Sequence, residues 1–448
     1  MYKIKTTKKY LCLTLLALVS ITFSACSNDD DAKTTTPTTK QDEVIIGDSV
    51  VYTAEEMCEK LFGPDGGNAD DEKSELRELF MKKIHEKEDS LATALGANGL
   101  ALAFISWPYY YWSKDQHGKD ILLSSVVSWA QYWFFGWHDL DPNNIYLAEH
   151  YTIFSNEECP TNGCLLEQIT LGDNLLIMPD YIGYGSTKER LHPYLNHEVC
   201  ALNSVNALEK GYEVFQLKKQ SGTKMEDDWK TYVIGCSQGG GNALAVHKYF
   251  DTNPEIGYKW RFDYSYCCAG PFSPRKTMDY YYQTKSLSYP VIIPIVIKSM
   301  LDCYPEILGK WKEEDFYSKK YLKIKDKIDN LITKKETKSD GIIKKMKEYM
   351  NLDDISVNDL LSDSALNRSS EMTQALYKCL DKNDLTTGWT PSHMIKLYHS
   401  KEDDVVPYSN SEAVVNAFGD KVSLFRSYIT GHKATCVKWY TTLATNNW

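Results

Sequence analysis

The sequence predicts an α/β fold, in which a mostly parallel sheet carries helices on both faces and an inserted helical cap interrupts the sheet. Three observations support this prediction. Strand-like and helix-like segments alternate over residues 105–270 and resume over 389–448. A G-x-S-x-G turn at 235–239 separates a β-branched run from a helix-like run. Strand-like patterns are missing from 271–388, so this segment is predicted to leave the sheet and return to it.

The N-terminal residues 1–25 are predicted to be a lipoprotein signal peptide and not part of the fold. Four lysines precede an apolar run over 11–23, which is short for a membrane-spanning helix. The sequence that ends at Cys26 resembles the lipobox of bacterial lipoproteins. This resemblance implies that Cys26 is lipidated, becomes the mature N-terminus and anchors the protein to a membrane.

Residues 26–50 are predicted to be a disordered tether, because polar and turn-forming residues dominate the segment and apolar periodicity is absent. The acidic cluster at 29–31 resembles the surface-export signal of outer-membrane lipoproteins, and a merely solvated linker explains it equally well. The resemblance implies an outer-membrane lipoprotein that is exposed on the cell surface.

The composition narrows the classes of function. With 448 residues and 43% hydrophobic content, the chain can bury a large core in more than one structural unit. Acidic residues outnumber basic ones by 61 to 50, which argues against nucleic acid as a partner. The chain contains no G-x-x-x-x-G-K-[ST] phosphate-binding motif, and we expect no cofactor.

Of the 12 cysteines, one lies in the signal peptide and one at the lipidation site. Cys159 and Cys164 lie close together in one predicted loop and could form a disulfide. Cys267 and Cys268 belong to an apolar strand, where buried free thiols are common. No group of cysteines and histidines has the spacing of zinc ligands, so we predict no structural or catalytic metal.

Each segment after the tether has its own pattern. The segment 51–104 is predicted to be an N-terminal helical lead-in, because acidic residues come early and lysines late in its main helical run at 74–84. The core is predicted to comprise 105–270 and 389–448. Its strands are predicted at 105–112, 121–129, 145–154, 174–178, 232–234, 264–269, 394–399 and 422–428, with a helix at 196–217.

The segment 271–388 is predicted to be a helical cap. Its apolar stretch 290–297 contains two prolines and is too short to span a membrane, so we expect it to be buried in the cap or to contact an apolar substrate. The lysine-rich segment 310–347 is interpreted as the solvated faces of helices rather than as an anion site. Because the insertion leaves and rejoins the sheet at one end, the cap should cover the site formed there.

Ser237, at the centre of the G-x-S-x-G turn, is the candidate nucleophile. A strand, this turn and a helix in that order form a nucleophile elbow, which exposes the serine hydroxyl at the end of the sheet. Catalysis then needs an acid and a histidine downstream, each after a strand. His432 follows the last predicted strand and is favoured as the base over His399 and His247.

Three adjacent acids follow the strand at 394–399, and each could orient the histidine. They are Glu402, Asp403 and Asp404. The residues alone leave this choice open. Asp180 is interpreted instead as a structural residue that binds nearby backbone amides.

The run from Trp107 to Trp439 resembles the α/β-hydrolase superfamily, and within it the secretory lipases and related bacterial esterases. The motifs that carry the resemblance follow predicted strands; they are 179–186 (Pro-Asp-Tyr-Ile-Gly-Tyr-Gly-Ser), 192–194 (His-Pro-Tyr), 236–243 (Cys-Ser-Gln-Gly-Gly-Gly-Asn-Ala), 269–272 (Ala-Gly-Pro-Phe) and Asp403-x-x-Val406-Pro407. The resemblance implies a serine hydrolase with an inserted cap. It selects Asp403 as the acid, because in this family the acid lies four residues before the proline.

An oxyanion formed on attack by Ser237 needs hydrogen-bond donors that are already in place. The backbone amide of Gln238, directly after the nucleophile, is one candidate by elbow geometry. The second is expected in the loop after the third strand, where His150 is followed by Tyr151 and not by the glycine typical of such enzymes. The backbone amides of Tyr151 and Thr152 are the candidates.

The expected function is hydrolysis of a carboxylic ester through an acyl-enzyme, with a small molecule, a glycan or a lipid as the esterified partner. A serine peptidase of the prolyl oligopeptidase type would use the same three residues, but residues 50–110 are too few for the N-terminal propeller of that group. A surface binding protein with an inactive site is the third alternative.

Overall fold

The computed structural model describes residues 44–63 and 71–446. The predicted signal peptide, Cys26 and the greater part of the predicted tether lie outside these residues. None of the helices in the described part of the chain is long and apolar enough to cross a membrane.

One mixed sheet organises the fold. Its strands are β1 (Ile45–Ile46), β2 (Val50–Thr53), β3 (Ala101–Lys114), β4 (Asp120–Trp133), β5 (Trp137–Asp139), β6 (Asn144–Glu149), β7 (Asn174–Pro179), β8 (Thr231–Cys236), β9 (Phe262–Cys268), β10 (Met394–Ser400) and β11 (Val422–Ser427). They lie in the order β1-β3-β4-β7-β6-β8-β9-β10-β11, with β2 paired to β3 and β5 paired to β4. The pairs from β7 to β11 are parallel, and those at the other edge are antiparallel. The predicted α/β fold with a mostly parallel sheet is confirmed.

The core helices that precede the second helical group lie between the strands. They are α1 (Ala54–Phe62), α2 (Asp71–Leu95), α3 (His197–Lys218), α4 (Gln238–Thr252) and α5 (Pro254–Lys259). The Thr53 hydroxyl accepts from the Glu56 amide while the Glu56 carboxylate accepts from the Thr53 amide, which caps the N-terminus of α1.

A second group of helices lies between β9 and β10. They are α6 (Pro274–Gln283), α7 (Ile292–Cys303), α8 (Pro305–Leu308), α9 (Lys319–Leu322), α10 (Lys325–Lys334), α11 (Ser339–Met350), α12 (Val357–Leu360), α13 (Asp363–Leu366) and α14 (Glu371–Lys382). They share a hydrophobic core of their own. The chain therefore leaves the sheet at the carboxyl end of β9 and returns as β10, and we call this helical segment, 274–382, the cap.

The two faces of the sheet bury separate cores because side chains alternate along each strand. Ile145 and Leu147 of β6 pack with residues of α3 and α4. Tyr146 and Ala148 of the same strand pack with residues of α1, α2 and the C-terminal helix α16 (His432–Asn446). The remaining helix, α15 (Ser409–Phe418), follows β10 and buries Val414 on the α3 side. Helices thus cover both faces.

The strands differ from the predicted ones mainly at their ends. The third predicted strand, 145–154, ends at Glu149, and the chain beyond it forms a loop beside Ser237. The predicted lead-in 51–104 contains α1 and α2, but also most of β2 and the first residues of β3. β2 was not predicted because it has only four residues and its first two are exposed. Such a segment does not show the alternation of apolar and polar residues that identifies a half-buried strand.

Candidate active site

Ser237 occupies the tight turn between β8 and α4. Its backbone adopts φ 57° and ψ −123°, a conformation that a non-glycine residue adopts only when its surroundings impose it. A Cβ on Gly239 would lie 1.9 Å from the Glu149 carbonyl oxygen, and one on Gly235 would lie 2.2 Å from the Gly239 carbonyl oxygen. The turn therefore excludes side chains at both glycines. The Ser237 amide donates to the Cys268 carbonyl oxygen at 2.9 Å, which holds the turn against β9.

The structure brings Ser237, His432 and Asp403 together at the carboxyl end of the sheet. His432 is the first residue of α16, and its Nε2 lies 2.8 Å from Ser237 Oγ. Its Nδ1 lies 2.7 Å from Asp403 Oδ2. The second carboxylate oxygen of Asp403 accepts from the amides of Val405 and Val406, at 3.0 and 2.8 Å. The acid is thus held by its own loop while it contacts the histidine.

The Asp403 carboxylate and a protonated His432 stabilise each other's charge. Asp403 and His432 are buried. Burial alone would lower the pKa of His432, but the Asp403 carboxylate, with a contribution from Asp404, raises it above its usual value. Burial would raise the pKa of Asp403, but the charges and hydrogen bonds of His432 and His399 hold it well below its usual value. Asp403 is therefore a carboxylate that favours a protonated His432.

The competing candidates lie elsewhere or make structural contacts. Asp404 accepts from the His432 amide at 2.8 Å and from the Ser288 hydroxyl of the cap at 2.5 Å. His399 lies on β10, with Nδ1 2.8 Å from Ser411 Oγ. His247 is buried on α4 and contacts Asp251 at 3.0 Å.

The loop after β6 places Tyr151 and Thr152 in the wall of the same cavity as Ser237 and Gln238. Glu167 is buried nearby and accepts from the Tyr440 hydroxyl at 2.6 Å. Burial raises the pKa of Glu167 to about 7, and the backbone amide of Tyr151 is among the groups that oppose this rise. The backbone amides of Tyr151 and Thr152 both remain candidates for the second oxyanion donor.

His150 is buried, and its ring contacts the backbone of this loop and that of Asp180. Its Nδ1 lies 2.7 Å from the Tyr151 carbonyl oxygen, and its Nε2 lies 3.3 Å from that of Asp180. Its ring stacks on Tyr181 at 4.0 Å. Burial lowers the pKa of His150 to about 4, so the ring is neutral near pH 7.

Two contacts beside Ser237 are not predicted by the sequence. The Gln238 side chain lies 2.5 Å from His192, whose Nδ1 donates to the Ile182 carbonyl oxygen at 2.8 Å. This links the first residue of α4 to the 192–194 motif. The resemblance identified His192 as part of a motif, but its partner depends on the folded chain.

The second contact is a disulfide between Cys236 and Cys436. The suggested bridge between Cys159 and Cys164 is wrong, since both are free thiols and the Cys159 Sγ donates to the Asn156 carbonyl oxygen at 3.0 Å. The cysteines that pair are 200 residues apart, so closeness in sequence did not predict the disulfide. A usable signal was present: one cysteine directly precedes Ser237, and the other follows His432 by one helical turn.

Ser237 and His432 open onto a cavity of about 410 Å³ between the sheet and the cap. Apolar side chains dominate its wall. From the cap these include Met278, Tyr281, Ile292, Ile293 and Val296, and from the core they include Leu61, Leu165, Leu166, Leu195, Val405, Val406 and Val437. The stretch 290–297, predicted to be buried in the cap or to contact apolar substrate, is buried in the cap, and its Ile292, Ile293 and Val296 line this cavity.

A potential metal-binding group in the described residues comprises Cys236, Cys268 and Cys436, whose sulfurs lie within 4.8 Å of one another. Two of these sulfurs form the disulfide. The group is therefore not a ligand set for a metal in this state.

No protein-family model matches the chain, and no curated protein matches it in sequence. Solved structures do. The rice cell wall degrading esterase LipA from Xanthomonas oryzae is 17% identical, with a TM-score of 0.59 over 80% of this chain and 93% of that protein. Candida antarctica lipase A is 12% identical, with a TM-score of 0.51 over 73% of each chain. Together with the sheet order and the elbow, these likenesses show that the chain has the α/β-hydrolase fold.

Proposed function

We propose that this protein is a serine hydrolase that cleaves carboxylic esters. One observation carries the proposal: a continuous chain of hydrogen bonds runs from Asp403 through His432 to Ser237, and Ser237 lies in the wall of an apolar cavity. In this arrangement a hydroxyl, a base and an orienting carboxylate occupy the positions that acyl transfer requires.

In the first half of the reaction, Ser237 Oγ attacks the ester carbonyl carbon while His432 Nε2 takes the hydroxyl proton. Asp403 holds Nδ1 of the imidazole and stabilises the imidazolium that forms. The negative charge that develops on the carbonyl oxygen is stabilised by the Gln238 amide at the N-terminus of α4 and by a backbone amide of the loop after β6, that of Tyr151 or Thr152. The tetrahedral intermediate then expels the alcohol, which receives the proton from His432, and Ser237 is left acylated.

In the second half, water attacks the acyl carbon of the acyl-enzyme while His432 takes a proton from it. Ser237 Oγ leaves as the second tetrahedral intermediate collapses, and His432 returns the proton to it. The products are a carboxylic acid and an alcohol, and the enzyme is regenerated. The raised pKa of His432 suits both steps, because the group must accept and then release a proton.

The cavity supports an ester with an apolar acyl group. Its aliphatic wall would bury such a group and exclude water from the carbonyl carbon. The esterase and lipase activities of the two similar structures favour an ester over a peptide bond. The alcohol portion would be a small molecule, a glycan or a lipid.

We further propose that Cys26 is lipidated and that the protein is held at the outer membrane, exposed on the cell surface. The signal-like residues 1–25 and the polar segment that follows them support this. Metabolic labelling with a palmitate analogue tests it: wild type should incorporate the label and fractionate with membranes, and Cys26→Ala should do neither.

A fluorophosphonate probe tests the enzymatic proposal, because it reacts only with an activated serine. Wild type should be labelled and Ser237→Ala should not. Para-nitrophenyl esters of increasing chain length, compared with proline-containing peptide anilides, then separate the two classes of bond. Folded wild type that neither reacts with the probe nor turns over esters would refute the proposal, and faster turnover of the anilides would change the class to peptidase.

A further inference from the structure

Three cysteines meet next to the Ser237–His432 contact. Cys236 is the last residue of β8 and directly precedes Ser237. Cys436 lies on α16, four residues after His432, which is about one turn. Their disulfide joins Cα atoms 6.1 Å apart. Cys268, at the end of β9, keeps a free buried thiol, and its carbonyl oxygen accepts from the Ser237 amide.

The two partners of His432 are held by different means. On the acid side, the Glu402 carbonyl accepts from the Gly431 amide at 3.0 Å, and the Asp404 carboxylate accepts from the His432 amide at 2.8 Å. These bonds tie the N-terminus of α16 to the loop that carries Asp403. On the nucleophile side, the disulfide is the covalent link between the elbow and α16.

We propose that the Cys236–Cys436 disulfide is a positioning crosslink, which holds the His432 imidazole within hydrogen-bond distance of Ser237. The inference rests on the proposed esterase function. A shift of about 1 Å between reacting groups can cost on the order of 100-fold in rate. Opening the disulfide therefore lowers kcat and leaves the apolar cavity, and with it KM, nearly unchanged.

The Asp403–His432 pair survives when the disulfide opens, because its supporting hydrogen bonds are independent of the elbow. The pH at which His432 loses its proton thus stays where it was. A fall in kcat without a shift of the acid limb is the signature of this role. A general loosening of the site would change both kcat and the acid limb of the pH profile.

The crosslink is reducible from the cavity. Cys436 is half-buried and lines the cavity with Ser237 and Gln238, whereas Cys236 and Cys268 are buried. A dithiol such as dithiothreitol would supply two electrons and two protons, which opens the disulfide to two thiols while the dithiol becomes a cyclic disulfide. Burial keeps the nearby Cys268 thiol protonated, so it is a poor nucleophile for exchange with the disulfide.

The experiment compares the double variant Cys236→Ala/Cys436→Ala with Cys268→Ala, which removes the third thiol and keeps the crosslink. Wild type is assayed with and without dithiothreitol, and then again after reoxidation. Turnover of a para-nitrophenyl ester is measured per site titrated with a fluorophosphonate, at least 20 °C below the melting temperature of each sample. Because only the active sites that react with the probe are counted, a lower kcat reports the position of His432 and not a loss of folded protein.

We expect the double variant and reduced wild type to show kcat about 10- to 100-fold below oxidised wild type, with KM within about threefold and the same acid limb. Reoxidation should restore wild type only, and Cys268→Ala should match wild type. Oxidised-level kcat in the double variant or in fully reduced wild type would overturn the inference. If oxidised wild type itself neither turns over esters nor reacts with the probe, the proposed function has failed instead.

Discussion

The cavity has a floor, formed by the end of the sheet that carries Ser237, and a roof, formed by the cap. Different kinds of contact fix the residues of the floor and those of the roof. On the floor, Ser237, Asp403 and His432 follow the parallel strands β8, β10 and β11, and hydrogen bonds to the core backbone fix each of them. The roof is the cap, whose hydrophobic core also includes Phe154, Tyr194 and Leu195 of the sheet domain, and polar side chains such as Ser299 and Lys335 add further contacts. The floor is thus held by hydrogen bonds to the backbone of the core, whereas the roof is attached by apolar packing and by polar side chains.

The clearest of the cap contacts is made by Lys335, in the turn between α10 and α11. Its buried ammonium donates to the carbonyl oxygens of Gly183, Lys188 and Arg190 in the core. Its own carbonyl oxygen accepts from the Asn156 amide at 2.7 Å. Burial lowers the pKa of Lys335 to about 8, so the ammonium remains the main form near pH 7. One side chain therefore attaches the middle of the cap to the sheet.

The largest effect on the floor is expected from Asp403→Asn. Loss of the carboxylate should lower kcat by about 10²- to 10⁴-fold, because the imidazolium loses its partner and its correct tautomer. Asp404→Asn is the matched control, since an amide oxygen can still accept from the His432 amide, and it should cost less than about tenfold. Steady-state kinetics on a para-nitrophenyl ester measures both. The opposite order would assign the role to Asp404.

The pH profile examines the same contact without a change in packing. His432 must be unprotonated to act as a base, and its folded pKa is raised above 6.5. The kcat/KM of wild type should therefore rise with pH through an inflection above 6.5 and then level off. In Asp403→Asn the imidazolium loses its stabilising charge, so the residual activity should have its inflection at lower pH. An unchanged inflection would contradict the proposed pairing.

On the roof, Lys335→Met removes the ammonium but keeps most of the side-chain volume. It leaves three carbonyl oxygens without this donor, which should loosen the cap and raise KM by about three- to tenfold with kcat within about threefold. Lys334→Met, on the exposed neighbour, is the matched control. A large fall in kcat at unchanged KM would mean that the cap positions the reacting groups after all.

The smallest effect is expected in the cavity wall. Ile292→Ala enlarges the cavity and should shift the preferred acyl chain of para-nitrophenyl esters to a longer one, with changes of about two- to fivefold in kcat/KM. Ile297→Ala removes the same volume from the core of the cap, on the same helix. It should lower the melting temperature and leave the chain-length profile unchanged. Equal profiles for both variants would place the acyl group elsewhere.

The predictions from sequence were most reliable where a local pattern dictates a local shape. The order of strand, G-x-S-x-G and helix predicted the turn at Ser237, because such a turn needs small residues on both sides of the serine, whichever strand packs against it. The choice of Asp403 and His432 relied on chain order and on the resemblance. The structure places His432 between the two other residues, in contact with Ser237 through Nε2 and with Asp403 through Nδ1.

The predictions failed where distant segments decide the outcome. Cys159 and Cys164 were paired because they are close in sequence, whereas the fold brings Cys436 to Cys236 across 200 residues. The third predicted strand extends to residue 154, whereas the strand ends at Glu149. The apolar residues Ile153 and Phe154 are buried outside the strand, Ile153 in the core that α1, α2 and α16 share and Phe154 in the core of the cap. In each case tertiary packing overrode the local pattern.

The sequence by itself determined the alternating strands and helices, the elbow at Ser237 and the presence of a cap, because each depends on the periodicity and turn chemistry of one short segment. Only the tertiary structure decided how the parts meet: the disulfide beside Ser237, the contact of Gln238 with His192, the Lys335 contact and the residues that line the cavity. The reason is physical. These contacts join residues whose separation along the chain carries no information about their distance in the folded protein.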